Sequence, residues 1–307
     1  MLLPLLNGEP SPLPPDASPW RRRLHAIWWG YSLGSGPRPR EEEADEPESV
    51  EPEEAHPDTL WSPLRLSAVQ TLFGEGMTTP GGEAALIALV RPCTLNNTKS
   101  ALELGAALGG LCRWANGDAG TYFKAFEANG ELAAAGMDLS TRKGLANKCP
   151  IEHTEVEKFE IRAKSQDAII AKEAFWRIAD KESLFKRIFT ALKPGGIVSL
   201  SDYMSPAGQE GLVQAAFPLA HMLQAKDQRA LLESAGFDVR VFEDRTAEHV
   251  KSILEAFEAF AKRIKTDPPP DTLRDAVLKE GELWATRVGL MQTGKVTLYR
   301  MLAFKPT

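Results

Sequence analysis

"LELGAALGGL", residues 102–111, is the stretch on which the fold turns. An apolar strand pattern over 100–104 ends at Gly105, and a helical pattern begins within the next few residues and runs over 108–116. A strand that turns this sharply into a helix places backbone N–H groups where a negatively charged or polar group can sit. Three spaced positions form the turn, and they read Gly105, Ala107, Gly109. The middle one carries a Cβ, which takes space where backbone must come close to a ligand. Glu103 lies within the first strand pattern, and Glu127 lies at the end of the next, "TYFKAFEA". A carboxylate about twenty residues beyond such a turn is placed to accept hydrogen bonds from ribose hydroxyls. Turn and acid together predict a nucleoside-bearing cofactor without saying which. A plain helix N-terminus with an incidental acid is the alternative.

Outward from this turn, helical and strand patterns alternate from about Trp61 to the end, as in a parallel sheet covered by helices. Helices are predicted over 63–73, 82–91, 130–146, 180–192, 226–235, 246–265 and 271–288, the last two flanking the loop "TDPPPD". Strands are predicted at "DAIIA" (167–171), "GIVSLSDY" (196–203), "FDVRVFED" (237–244) and "KVTLYRMLAF" (295–304). No internal repeat is present.

Residues 1–60 read differently. Prolines, a Trp-rich segment "WRRRLHAIWWGY" and the acidic tract "EEEADEPESVEPEEAHPD" (41–58) follow one another. The tract holds ten Asp and Glu and no Lys or Arg; without it the formal charge of −6 becomes +4. Such density of like charge cannot bury a core and predicts a solvated linker in a mostly disordered N-terminal segment. Trp20, Leu24, Ile27, Trp28 and Tyr31 recur at helical spacing beside Arg21, Arg22 and Arg23, which predicts a short amphipathic helix at about 19–31. Through residues 20–31 it could lie on an anionic membrane surface, dock on a partner protein or fold back on its own domain. No broad basic surface points to nucleic acid. Cys93, Cys112 and Cys149 lack CxxC spacing and read as free thiols, with no metal site. The opening "MLLPLLNGEP" does not fit a secretory signal, and no stretch reaches the ~20 apolar residues of a membrane span, so the expected location is the cytoplasm, with peripheral membrane contact left open.

The decisive unit lies downstream, in "DAIIAKEAFWRIADKESLFKRIFTALKPGGIVSLSDY" (167–203). A buried strand, a loop and a helix are followed by Lys-Pro-Gly-Gly and another strand; Pro194 stops the helix and Gly195-Gly196 turn the chain into the sheet. This unit resembles the class I S-adenosylmethionine-dependent methyltransferases, in which "LKPGG" before the fifth strand is a specific mark. "LFGEGMTTPGG" (72–82) is similar to the segment ahead of the first strand in small-molecule methyltransferases of the phosphoethanolamine and glycine-sarcosine type. The resemblance covers residues 61–307. It implies an α/β, Rossmann-like seven-stranded sheet with helices on both faces, S-adenosylmethionine as cofactor and a small-molecule acceptor. Thr78, Thr79, Gly81 and Gly82 would line a lid over the methionine end. Glu103, Gly105, Ala107, Gly109, Glu127 and Lys172 complete the cofactor set.

By the same resemblance the acceptor would sit near the ends of strands four and five, beside Lys172, Glu173, Trp176, Asp202 and Tyr203. Tyr203 and His221 are the catalytic candidates, although a lone histidine in an apolar helix such as "AFPLAHMLQ" also reads as structural. Two departures stand out: Ala107 in place of glycine, and "EKFEIRAKSQDAII" between the third and fourth strands, which lacks the expected adenine-side acid. They leave a second reading open, a methyltransferase-like binding or scaffolding module with little catalysis. A nicotinamide-linked oxidoreductase is a distant third.

Overall fold

The structure is a computed structural model that describes residues 61–307. The expectations for residues 1–60, including the helix at about 19–31 and its contacts, lie outside the described residues. Seven strands build one sheet: β1 (Ser100–Leu104), β2 (Tyr122–Glu127), β3 (Ile151–His153), β4 (Gln166–Lys172), β5 (Leu192–Met204), β6 (Asp238–Asp244) and β7 (Thr297–Phe304). Their order is β3-β2-β1-β4-β5-β7-β6. Neighbours from β3 to β5 are parallel, and β7 lies antiparallel between β5 and β6.

The central strands alternate between two buried layers, as their two-residue period demands. Leu102 and Leu104 of β1 and Ile169 and Ala171 of β4 meet helices α5 (Lys181–Ala191) and α7 (Ala225–Ser234) through Leu184, Ile188 and Leu232. Ala101, Ala168 and Ile170 face the other layer, with Leu86 and Leu89 of α2 (Gly82–Val90) and Leu111 and Ala115 of α3 (Gly110–Ala119). Helix α4 (Gly130–Arg142) starts on Asn129, whose side chain accepts the Leu132 N–H at 3.0 Å. Helix α5 starts in the same way on Asp180.

After α5 the chain runs through Lys193-Pro194-Gly195-Gly196 with Gly195 at φ +74°. Gly195 N–H donates to the Lys305 carbonyl and Lys305 N–H to the Gly196 carbonyl, both at 2.9 Å, so the turn is laced to the end of β7. Leu192 also pairs with Gln166, which extends β5 four residues before the predicted start.

Three helices form a third layer over the carboxyl ends of the strands: α1 (Pro63–Phe73), α8 (Thr246–Arg263) and α9 (Arg274–Gln292), with the five-residue α6 (Glu210–Gln214) nearby. Ile253, Phe257 and Phe260 make one stripe along α8 and pack with Leu72, Trp284 and Val288. Phe73 stands edge-on to Phe257 and Trp284, with ring centroids 6.1 and 5.6 Å away. The same cluster takes in Trp176 from the turn after β4 and Tyr203 from β5, so this layer sits against the ends of these two strands. No described helix is long and apolar enough to cross a membrane.

Candidate functional site

A cavity of about 360 Å³ opens at the carboxyl ends of β1, β2, β4 and β5. This is where the strand order reverses between β1 and β4, the place at which α/β sheets hold ligands. The turn after β1 forms its floor. Gly105 has φ +72°, and a Cβ there would stand 2.3 Å from the Ala174 Cβ, so only glycine lets β1 and the loop after β4 close together. Gly109, also at φ +72°, packs behind the turn: a Cβ would meet Ile151 Cδ1 at 2.3 Å. Ala107 takes φ +48°, the left-handed conformation a glycine would have supplied.

The backbone amides of this turn are mostly engaged inside the protein. Gly105 and Ala106 donate to the Phe126 carbonyl at 2.8 and 3.0 Å, Gly109 to the Ala106 carbonyl at 2.7 Å, and Ala107 to Glu127 Oε2 at 2.7 Å. Three of these four N–H groups therefore go to backbone carbonyls and the fourth to a carboxylate. Glu127 accepts a second N–H, from Asn129 at 2.8 Å, and is 7% exposed. Burial raises its pKa, with the Asn129 and Ala107 N–H groups acting the other way. Glu103, 2% exposed, accepts the Cys112 N–H at 3.0 Å, and burial pushes it up to about 8. Arg113 braces the turn from behind by donating to the carbonyls of Leu108 and Gly136 and to Ser140 Oγ.

The second part of the site stands on β4 and β5. Lys172 Nζ donates to the Pro80 carbonyl at 3.0 Å, to Glu173 Oε1 at 2.8 Å and to Thr79 Oγ1, and so ties the segment before α2 to the end of β4. Glu173 sits at φ +55° and is buried. Burial alone would raise its pKa, but the Lys172 ammonium and the Tyr203 hydroxyl act against it, and Glu173 is held below the usual glutamate value. The Tyr203 hydroxyl donates to Glu173 Oε2 at 3.1 Å and lies 2.8 Å from His249 Nε2. Trp176 Nε1 donates to the Glu173 carbonyl at 2.9 Å.

Of the residues singled out from sequence, Thr78, Thr79, Glu103, Gly105, Ala107, Glu127, Lys172, Glu173, Trp176 and Tyr203 line this cavity. Gly81, Gly82, Gly109, Asp202 and His221 do not. Gly81 and Gly82 open α2, where Gly81 at φ +111° is the cap. Asp202 is buried beneath the wall, where burial pushes it up to about 7, and its Oδ1 accepts the Trp176 N–H at 3.1 Å. It orients the Trp176 backbone and does not face the cavity. His221 is exposed, in irregular chain and not in a helix, and faces a different pocket with Ser205 and Asp227. Its N–H donates to the Trp176 carbonyl at 2.7 Å.

Other cavity residues carried no motif. Arg65 from α1 donates to Glu280 of α9 and lies 4.1 Å over the Trp61 ring. Arg287 of α9 donates to the Ala216 carbonyl at 3.0 Å, with its guanidinium 4.7 Å from the rings of both Phe217 and Trp284. The available signal was charge on an apolar stripe: Glu280 and Arg287 are buried along with Val277, Trp284, Val288 and Met291. The stretch after β3 differs from its reading as well. Strand β3 ends at His153, and Glu157 beyond it lines the cavity, so a carboxylate does reach the site from this side. Among the described residues no group of three or more His, Cys, Asp or Glu is gathered to hold a metal, and the three cysteines are buried and free.

The chain is similar to phosphoethanolamine N-methyltransferase 3 of Arabidopsis thaliana, 28% identical over 208 residues that span 63% of this chain and 40% of that one. Phosphoethanolamine N-methyltransferase of Plasmodium falciparum is 25% identical over 140 residues, 45% of this chain and 52% of its own. The chain thus spans about two fifths to half of the length of these relatives. Among solved structures, phosphoethanolamine N-methyltransferase 2 of Haemonchus contortus, in complex with phosphomonomethylethanolamine and S-adenosylhomocysteine, shares the fold at a TM-score of 0.68 and 19% identity, over 79% of this chain and 57% of that one. A model of the methyltransferase domain matches residues 82–240, from the first turn of α2 into β6 and over more than half of the chain, which belongs to that family.

Proposed function

We infer that the chain binds S-adenosylmethionine in this cavity and transfers its methyl group to a small amine of the phosphoethanolamine type. One observation carries the reading: two buried carboxylates, Glu127 at the end of β2 and Glu173 just after β4, stand on either side of the Gly105 turn, face one cavity, and are each fixed by their own hydrogen bonds. The curated relatives carry the name of that activity, and the Haemonchus neighbour holds the spent cofactor together with a phosphorylated amine.

The residues fit such a cofactor. Gly105 and Ala107 line the cavity, and Glu127 has lone pairs left for ribose hydroxyls after accepting two N–H groups. Glu103, neutral at pH 7, offers an O–H donor. Glu157, which lines the cavity beyond β3, would offer its carboxylate to the adenine. When bound, S-adenosylmethionine supplies an electrophilic methyl on a positively charged sulfur.

Methyl transfer is an in-line displacement that depends on an aligned, desolvated nucleophile. Glu173, held as an anion by Lys172, attracts and orients the acceptor's amino group, whose nitrogen lone pair attacks when the amine is in its free-base form. Trp176 and Tyr203 wall this end against water. Arg287 and Lys172 offer positive charge to an acidic group on the same acceptor. Ala107 already holds the left-handed turn, so its methyl does not argue for a scaffold without catalysis. Calorimetric titration with S-adenosylhomocysteine, followed by transfer from labelled S-adenosylmethionine to phosphoethanolamine, tests the reading. Micromolar binding and label in the amine are expected; absence of binding overturns it.

A further inference from the structure

His249 is a buried imidazole that no motif marks. It lies on α8, 7% exposed, and does not line the cavity. Its Nε2 is 2.8 Å from the Tyr203 hydroxyl, which in turn is 3.1 Å from Glu173 Oε2, while Lys172 Nζ holds Glu173 Oε1 at 2.8 Å. Four side chains thus form one line, from α8 through the end of β5 to the end of β4.

A phenol has one proton to donate. With that proton on Glu173, the contact between Tyr203 and His249 is satisfied only if the imidazole carries its hydrogen on Nε2 and donates. Burial pushes His249 down to about 4, so the ring is neutral at pH 7 and has one N–H to place. The groups facing it are Glu173 and Lys172 from the end of β4, Arg287 from α9 and Tyr203 from β5. From α1 and β7 the same cluster receives apolar Leu72 and Leu298. A donor behind the phenol polarises its O–H and strengthens the bond that the O–H makes in front.

We propose that His249 is a positioning residue of the acceptor site: its Nε2–H donates to the Tyr203 oxygen, fixes the Tyr203 proton toward Glu173, and so keeps Glu173 an oriented anion for an amine acceptor. This rests on the amine-methyltransferase reading of the cavity, yet the state of Glu173 is measurable without an acceptor. His249→Leu removes the donor, and His249→Gln places an amide N–H near the position of Nε2.

The experiment is carbon-13 NMR titration of the Glu173 carboxyl in the full chain saturated with S-adenosylhomocysteine, with calorimetry of the same samples. The Glu173 resonance is assigned by its loss in Glu173→Gln. Expected are equal S-adenosylhomocysteine affinities in wild type and both His249 variants, a Glu173 titration moved up by about one pH unit in His249→Leu, and a titration close to wild type in His249→Gln. Where His249→Leu does not fold, His249→Met removes the donor in its place, and the change is repeated in the Tyr203→Phe background. With Tyr203 gone, the residue at 249 must no longer matter. A Glu173 titration unmoved in His249→Leu, or a residue 249 effect that persists without Tyr203, overturns the proposal. Failure of the wild type to bind S-adenosylhomocysteine instead overturns the cofactor reading, and the same titration run without ligand still decides the role of His249.

Discussion

Gly105→Ala is the sharpest test of how the site is built. The added Cβ would lie 2.3 Å from the Ala174 Cβ, and the position has φ +72°. A non-glycine residue in the left-handed region costs about 1–2 kcal/mol, and overpacking of this kind about 1–3 kcal/mol, so the variant should lose about 2–5 kcal/mol. At about 2–4 °C per kcal/mol for a domain of this size, Tm should fall by about 10 °C. Ala107→Gly provides the contrast. Relief at φ +48° returns about 1–2 kcal/mol, while the freer unfolded chain and the lost methyl contact withdraw about as much. The Ala107 N–H to Glu127 is backbone and survives the change. Its Tm should stay within about 3 °C of wild type. Thermal unfolding of the full chain by circular dichroism, with S-adenosylhomocysteine calorimetry on the same samples, reads both. A Gly105→Ala protein that melts with wild type would show that the turn slides away from Ala174, and the close approach of β1 and β4 would no longer explain the glycine.

Glu127→Gln should weaken S-adenosylhomocysteine binding by about 1.5–3 kcal/mol, the usual loss of a hydrogen bond to a charged group; unchanged affinity in calorimetry removes Glu127 from the site. Glu103 is held protonated up to about 8 in the folded protein, whereas the unfolded chain releases that proton near 4.5, so wild type loses stability as pH rises between these values. Glu103→Gln lacks this loss, and its urea midpoint should gain on wild type from pH 5 to pH 8; parallel curves would mean that Glu103 is ionised in the folded state. Arg287→Gln should raise KM for phosphoethanolamine about tenfold, as expected for a lost charged hydrogen bond, and leave S-adenosylhomocysteine affinity unchanged. An unchanged KM takes Arg287 out of acceptor recognition.

What the sequence made legible follows from where the physics is local. β4 and β5 could be read because their buried runs are bounded by a helix, Pro194 and two glycines, each of which acts on its own neighbours. β3 could not be placed, since it has three residues at the sheet edge and only Ile151 is buried, too little for a two-residue period to show. Strand, turn and helix around Gly105 were legible for the same local reason as β4 and β5, but the fate of the turn amides was not. It depends on the Phe126 carbonyl and Glu127, which arrive from another strand. The two histidines make the point most clearly. The apolar pattern of "AFPLAHMLQ" predicts a helix carrying His221, yet Pro218 inside it cannot donate to a helical bond, and the stretch is irregular with His221 in solvent. His249 instead lies four residues before Ile253, on the stripe that continues through Phe257 and Phe260. A polar ring on an apolar stripe must find a buried partner, because an unmatched polar group in the core is costly. That requirement can be read along α8 alone. The identity of the partner cannot, because Tyr203 stands 46 residues away and meets His249 only where β5 ends beneath the helical layer.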